Sequence, residues 1–213
     1  MAFTTVATAN TTIGPAQYAD MAQALAPRFL VDSPTHLQPS YSSGTVSVTT
    51  GAALVAGTRV RATGSNSVAI PSVSSGSKTF AVCLRVDWSK GASNSATLVA
   101  VNGTLNNSSS PVETSINRIP GVMYDALICL VTRAAGTTAA SYFADYRCWG
   151  GDGGPLRVSD SALNNPSWLD ARVGTFIQTD QGKYTKRLDN DGVWRAVGTD
   201  SNPWRSWTPT LRY

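Results

Sequence analysis

TFAVCLRVD, residues 79–87, sets Phe80, Val82, Leu84 and Val86 at every second position, with Ala81, Cys83, Arg85 and Asp87 between them. A period of two marks a β-strand, because successive side chains leave a pleated backbone on opposite faces. One set is wholly apolar and the other ends in Arg and Asp, which predicts a strand of an antiparallel sheet with one buried and one wetter face.

The same short rhythm spreads to both sides. Upstream, Thr45 to Thr49 alternates, GAALVAGTRVRATG at 51–64 reads as a Gly-bounded pair of short strands, and Ser67 to Pro71 reads as another. Downstream, Ala96 to Val101 follows the turn Ser89 to Asn94, and GTLNNSSSP at 103–111 is a loop by composition. VMYDALICLVT at 122–132 is nearly continuous in apolar character and predicts a central strand, although periodicity alone leaves helix open. Ala139 to Trp149 reads as one more strand. After GGDGGP at 150–155, short strands are expected at Gly174 to Thr179, Gly182 to Leu188 and Val193 to Val197. Asp189-Asn190-Asp191-Gly192 between the last two is a hairpin signal.

One segment breaks the pattern. In residues 12–29, Tyr18, Met21, Ala22 and Leu25 fall at helical spacing behind Gly14 and Pro15, and Pro27 stops the run. A helix of about three turns is marginal by itself, so it must dock on its own domain or on a neighbour. The expected fold is therefore mainly β: an antiparallel β-sandwich or barrel-like domain with a short N-terminal helix and a C-terminal β-hairpin region. The expected divisions are an arm and helix at 1–40 for docking or oligomerisation, a core domain at 41–149, and hairpins with an extended aromatic tail at 150–213.

Composition narrows the function. Only 14% of the 213 residues are charged and 42% are hydrophobic, a balance suited to chains that pack on other chains, where few charges need desolvating. The net charge of +4 is spread singly from Arg28 to Arg212, with no basic run to track a phosphate backbone, which argues against nucleic-acid binding. Three cysteines, Cys83, Cys129 and Cys148, make no disulfide framework and read as small buried apolar residues in a reduced setting. The N-terminus has no signal-peptide pattern and no stretch is apolar enough to span a membrane, so synthesis in the cytosol is expected.

The residue types present limit the catalytic constellations the chain can form. The single histidine, His36, excludes His-based triads and multi-His metal sites within one chain, and no GxSxG, P-loop, HExxH or CxxC is present. Asp87, Asp125 and Asp145 form the one set able to supply a glycosidase-like carboxylate pair, though aspartates commonly end strands and cap turns. Asp189 to Gly192 resembles the start of a calcium loop but lacks the distal Glu. No catalytic residue, metal or cofactor is expected. Tyr18, Met21, Leu25, Phe29, Trp204, Trp207 and Tyr213 are the candidate assembly residues, as aromatic and aliphatic anchors dominate interfaces. Trp149 and Trp168 are the candidates for stacking on sugars.

Four stretches carry a resemblance: SVTTGAALVAGTRVRATGSNSVAIP at 47–71, TFAVCLRVDWSKGASNSATLVAVNGT at 79–104, IPGVMYDALICLVTRAAGTT at 119–138 and ARVGTFIQTDQGKYTKRLDNDGVWRAVG at 171–198. Together they resemble a module of minor tail and baseplate proteins of phages that infect actinobacteria and related hosts. The resemblance implies a small β-sandwich or barrel-like domain after an N-terminal arm, followed by a Gly-rich hairpin region, and it supplies no catalytic residues. In longer relatives WTPTL opens a further host-contacting domain, whereas here Tyr213 follows soon after Trp207 to Leu211, so an adaptor role is implied. The expected protein is a virion structural subunit of the tail or baseplate, homotrimeric, partnered by other phage proteins. A carbohydrate-binding adhesin for host cell-wall polysaccharide and a head fibre or decoration protein are the alternatives.

Overall fold

The computed structural model describes residues 28–64, 66–90, 95–102, 116–150, 156–164, 166, 169, 171, 175–179 and 185–197. Among them the chain is mainly β, built from several antiparallel sheets, as expected. The helix expected from residue 12 onward, with Tyr18, Met21 and Leu25, falls on residues outside the described ones, as do Trp168, Trp204, Trp207 and Tyr213.

The TFAVCLRVD stretch lies in β7 (Ser77–Asp87), which pairs with β8 (Ala96–Asn102) on one side and β10 (Met123–Ala134) on the other. β11 (Ala140–Asp145) and the two-residue β9 (Arg118–Ile119) also pair with β10, completing a five-stranded sheet. A three-stranded sheet is made from β2 (Pro39–Ser42), β3 (Thr45–Val48) and β6 (Asn66–Ala69). β6 lies alongside β8, and β2 alongside β11. The third sheet has eight strands. β1 (Phe29–Val31), β4 (Gly51–Val55) and β5 (Thr58–Ala62) form one half; β12 (Cys148–Trp149), β13 (Leu156–Val158), β14 (Phe176–Thr179), β15 (Thr185–Leu188) and β16 (Trp194–Ala196) form the other. The halves join where β1 and β12 run parallel, Val31 opposite Trp149. A short helix, α1 (Asp160–Asn164), follows β13.

The alternation in β7 sorts its side chains between two cores. Phe80, Val82, Leu84 and Val86 belong to a cluster with Val46 and Val48 of β3, Val55 of β4 and Val60 of β5. Ala81 and Cys83 belong to a second cluster with Val158 of β13, Leu163 of α1 and Ile177 of β14. The expected wetter face is thus corrected: most of β7 is buried on both sides, because the C-terminal strands and α1 cover its second face. Each fully buried aliphatic or Phe side chain contributes about 1.5–3 kcal/mol, so a sheet covered on both faces gathers such contributions from each of them.

β10 is a strand, which settles the helix alternative. Leu127 stands opposite Cys83 and Cys129 opposite Val82, leaving Ile128 as an inserted residue in a β-bulge. The bulge shifts the phase. Before it Tyr124, Ala126 and Ile128 face the first core; after it Cys129 and Val131 do, while Leu127 and Leu130 face the second. An inserted residue and two covered faces together explain why 122–132 reads as continuous rather than alternating.

Two strand expectations are corrected. Ala139 to Trp149 forms two strands in different sheets, β11 and β12, with a corner at Tyr146-Arg147. Phe29, expected at an assembly surface, is a buried residue of β1 opposite Val55 in the first core, because the chain turns extended directly after Pro27-Arg28. The eight-stranded sheet runs through residues 40 and 150, taking in β1 from the arm range and β12–β16 from both sides of GGDGGP.

Candidate functional site

The aspartates that sequence nominated for chemistry are each occupied by a structural partner. Asp125 is buried on β10; its Oδ1 accepts from Arg85 Nε at 2.7 Å, and its Oδ2 accepts from Arg85 Nη2 at 2.9 Å and from the Asn117 backbone at 2.9 Å. A carboxylate gripped by a fork and a backbone N–H is a fixed anion. Asp87, at the end of β7, accepts from the Ser89 backbone at 3.0 Å and from the Ser89 hydroxyl at 2.6 Å, and these bonds hold its carboxyl below the usual carboxylate range. Asp145 ends β11 and accepts from the Arg147 backbone and guanidinium, closing the corner between two sheets. Each of the three is thus held by partners of its own. Among the described residues no group of three or more His, Cys, Asp and Glu is arranged to hold a metal.

Arg147 is the most heavily engaged side chain. It is 2% exposed, spans the Asp145 carboxylate, and donates through Nη1 to the carbonyls of Pro34, at 2.9 Å, and His36. Its guanidinium carbon lies 5.6 Å from the Trp149 ring centroid, within cation–π range. The assignment of Trp149 to sugar stacking is therefore corrected: the ring is buried in the first core with Arg147 over it, and no sugar can reach it. Arg133 acts similarly at the far end of β10, where its guanidinium donates to the carbonyls of Ile70 and Thr137.

The cysteines fit the sequence reading. All three are free and buried, and burial drives each thiol upward, Cys148 to about 12, with the nearby Asp145 charge adding to it. The thiolate is the nucleophile, so none should react while the fold is intact. Iodoacetamide in mildly alkaline buffer is expected to leave all three unmodified in native protein and to alkylate all three after denaturation, read by intact mass. A native protein that labels at Cys148 would contradict the burial.

The surface offers features that sequence reasoning passed over. Ile119 and Val122 flank the turn Pro120-Gly121, closed by the Val122 N–H donating to the Ile119 carbonyl at 3.1 Å, and both side chains are exposed. Tyr142 and Phe143 are exposed on β11, with the Phe143 ring 6.4 Å from that of Tyr41. Phe176 and Val193 are exposed beside the C-terminal hairpin.

That hairpin, β15–β16, is the DNDG turn expected from sequence, and its acids are committed to arginines. Asp189 accepts from Arg187 at 2.7 Å and from Arg195 at 2.7 Å, and Asp191 accepts from Arg195 Nη1 at 2.9 Å and Nη2 at 2.6 Å. The arginine bonds pull Asp191 down to about 2 and hold Asp189 below its ordinary value. A carboxylate depressed in the folded state stabilises above its unfolded range and loses that contribution as pH falls toward its folded value. The protection of the amides across 185–197, taken relative to the intrinsic exchange rate at each pH, is thus expected to hold from neutral pH down to about pH 4 and to fall between about pH 4 and about pH 2. Protection already lost near pH 5 would refute the pairing.

Comparison with protein-family models finds no match, and comparison with curated proteins finds none either.

Proposed function

We propose that this chain is a structural component of a bacteriophage virion, a minor tail or baseplate subunit that acts by assembly. The observation that supports it most is the fate of the buried ionisable groups. Arg85–Asp125, Arg147–Asp145 and Arg133 tie strands, corners and loops together, which is what a rigid building block needs. The stretches that resemble the phage tail module fall along β3–β6, β7–β8, β9–β10 and β14–β16, so the resemblance spans all three sheets. Exposed Ile119, Val122, Tyr142 and Phe143 are anchors of the type that interfaces use.

In this reading the subunit is a homotrimer made in the host cytoplasm, with residues before β1 anchoring it to other tail or baseplate proteins. Light scattering on the full chain is expected to give three times the monomer mass, and deleting residues 1–27, which leaves β1 whole, is expected to reduce it. A stable monomer indifferent to that deletion would overturn the assignment. A head fibre or decoration protein would share this physics, and labelling of the chain on intact particles separates the two positions.

A further inference from the structure

The connection between β9 and β10 has the residues and the backbone of a type II turn: Pro120 presets one central position, and Gly121 takes the other with φ of +81°. Such a turn is rigid, and it holds out Ile119 and Val122, which are 58% and 59% exposed. Two partly buried apolar side chains stand beside it. The Trp88 N–H donates to the Val122 carbonyl at 3.1 Å, and Met123 pairs with Ile119. The same region receives the residues that precede β1. The Arg28 carbonyl accepts from the Ala56 N–H at 2.7 Å, Val55 pairs with Thr58, and the Thr58 hydroxyl accepts from the Trp88 indole at 3.1 Å. Residues 1–27 therefore join the described chain at the end of the molecule that carries the apolar turn.

We propose that this turn is the seat for the N-terminal arm of a second copy, with the stripe Tyr18, Met21 and Leu25 of one chain laid over Ile119 and Val122 of the next. The inference rests on the assembly reading and names the contact that reading needs. Size fits the occupant. At helical spacing Tyr18 to Leu25 spans about 10 Å, and the ends of a β-turn lie within about 7 Å of each other, so two aliphatic side chains flanked by Trp88 match one short stripe. They fall far short of the several hundred Å² on which a whole domain docks. Chemistry fits as well. Asp20 is the one charged residue of 12–27, and helical spacing turns it away from the stripe, so no charge is desolvated in the contact. The direction of the chain favours a second copy over its own turn. Phe29 is paired with Val55 and the Arg28 carbonyl is fixed to Ala56, so the preceding residues leave along the line of β1, beyond the Ala56-Gly57 turn. Pro27 disfavours the helical conformation at the residue before it, which opposes an immediate fold back, and a helix over 12–25 then reaches about 20 Å. With arm and seat at the same end of every copy, a ring closes in which each copy gives one arm and receives one.

Cross-linking of the full chain tests the contact, because the three native cysteines are buried and leave introduced ones to react alone. Val122→Cys is combined in turn with Tyr18→Cys, Met21→Cys and Leu25→Cys, and each double variant is oxidised mildly with oxidised glutathione. At least one is expected to run as a covalent trimer on a non-reducing denaturing gel and as a monomer after reduction, whereas Val122→Cys with Gln23→Cys, from the opposite side of the helix, stays unlinked. A second measurement needs no cysteine: Ile119→Ser with Val122→Ser is expected to lower the mass in light scattering while the thermal midpoint stays within about 2 °C of the parent, since both side chains are exposed. The proposal is overturned if no stripe position links, if the links form only within one chain, if the Gln23 pair links as readily as the others, or if the double serine variant keeps its full mass. A parent that is trimeric but unlinked loses the seat and keeps the assembly reading; a monomeric parent loses both.

Discussion

Arg147→Ala is expected to lower the thermal midpoint by roughly 10 °C, from a loss of about 3–5 kcal/mol. Truncation removes every donor of a buried guanidinium at once. The carbonyls of Pro34 and His36 lose their partner, and Asp145 loses its counter-charge at a corner where the chain passes between two sheets. It also leaves a void against Trp149 at the β1–β12 junction. Arg147→Lys separates charge from geometry. An ammonium reaches one acceptor group where the planar fork spans three, so the lysine variant is expected to recover less than half of the loss. Calorimetry on both variants checks this, and a midpoint within 2 °C or so of the parent for the alanine variant would show that the guanidinium ties nothing together.

Gly51→Ala is expected to cost about 2–4 kcal/mol, from backbone strain and overpacking together. Gly51 has φ of +149°, a region L side chains rarely adopt, and a Cβ there would lie 2.5 Å from the His36 Cβ and 2.8 Å from its Cα. The second contact is with backbone, so no rotamer relieves it. The loop Ser33 to Gln38 must move, and that is the same loop that Arg147 holds by the Pro34 and His36 carbonyls. The two changes therefore act on one element, and the double variant is expected to lose clearly less than the sum of the singles in urea unfolding. Strict additivity would mean that the loop does not couple them.

The strands were legible where the period of two is long and the flanks carry Gly, Ser or Asn: β3 to β8 and the β15–β16 hairpin fall where alternation and turn residues place them. The second covered face of β7 was not legible, because the residues that cover it lie some 70–95 positions further on, in β13, α1 and β14. A clue was present in small apolar Ala81 and Cys83, and in the unbroken apolar run of β10, the signature of a strand covered on both sides. Phe29 misled because a three-residue strand has too little sequence to show a period. The β11–β12 corner lacks Gly and Pro, yet Asp145 accepting from the backbone two residues on is a local turn device that the Asp-Tyr-Arg order hints at.

The parallel seam between β1 and β12 has a consequence for how the molecule is made. β1 waits for a partner strand that follows it by more than a hundred residues, Val31 meeting Trp149, and the covering of the second core waits for β13, α1, β14 and β16. Until then a nascent chain carries an unpaired β1 margin and bare Ala81, Cys83, Leu127 and Leu130, the kind of sticky intermediate that long-range pairing produces. Fragments ending near Gly150 should accordingly collect in inclusion bodies, because they lack the strands and helix that cover the second core.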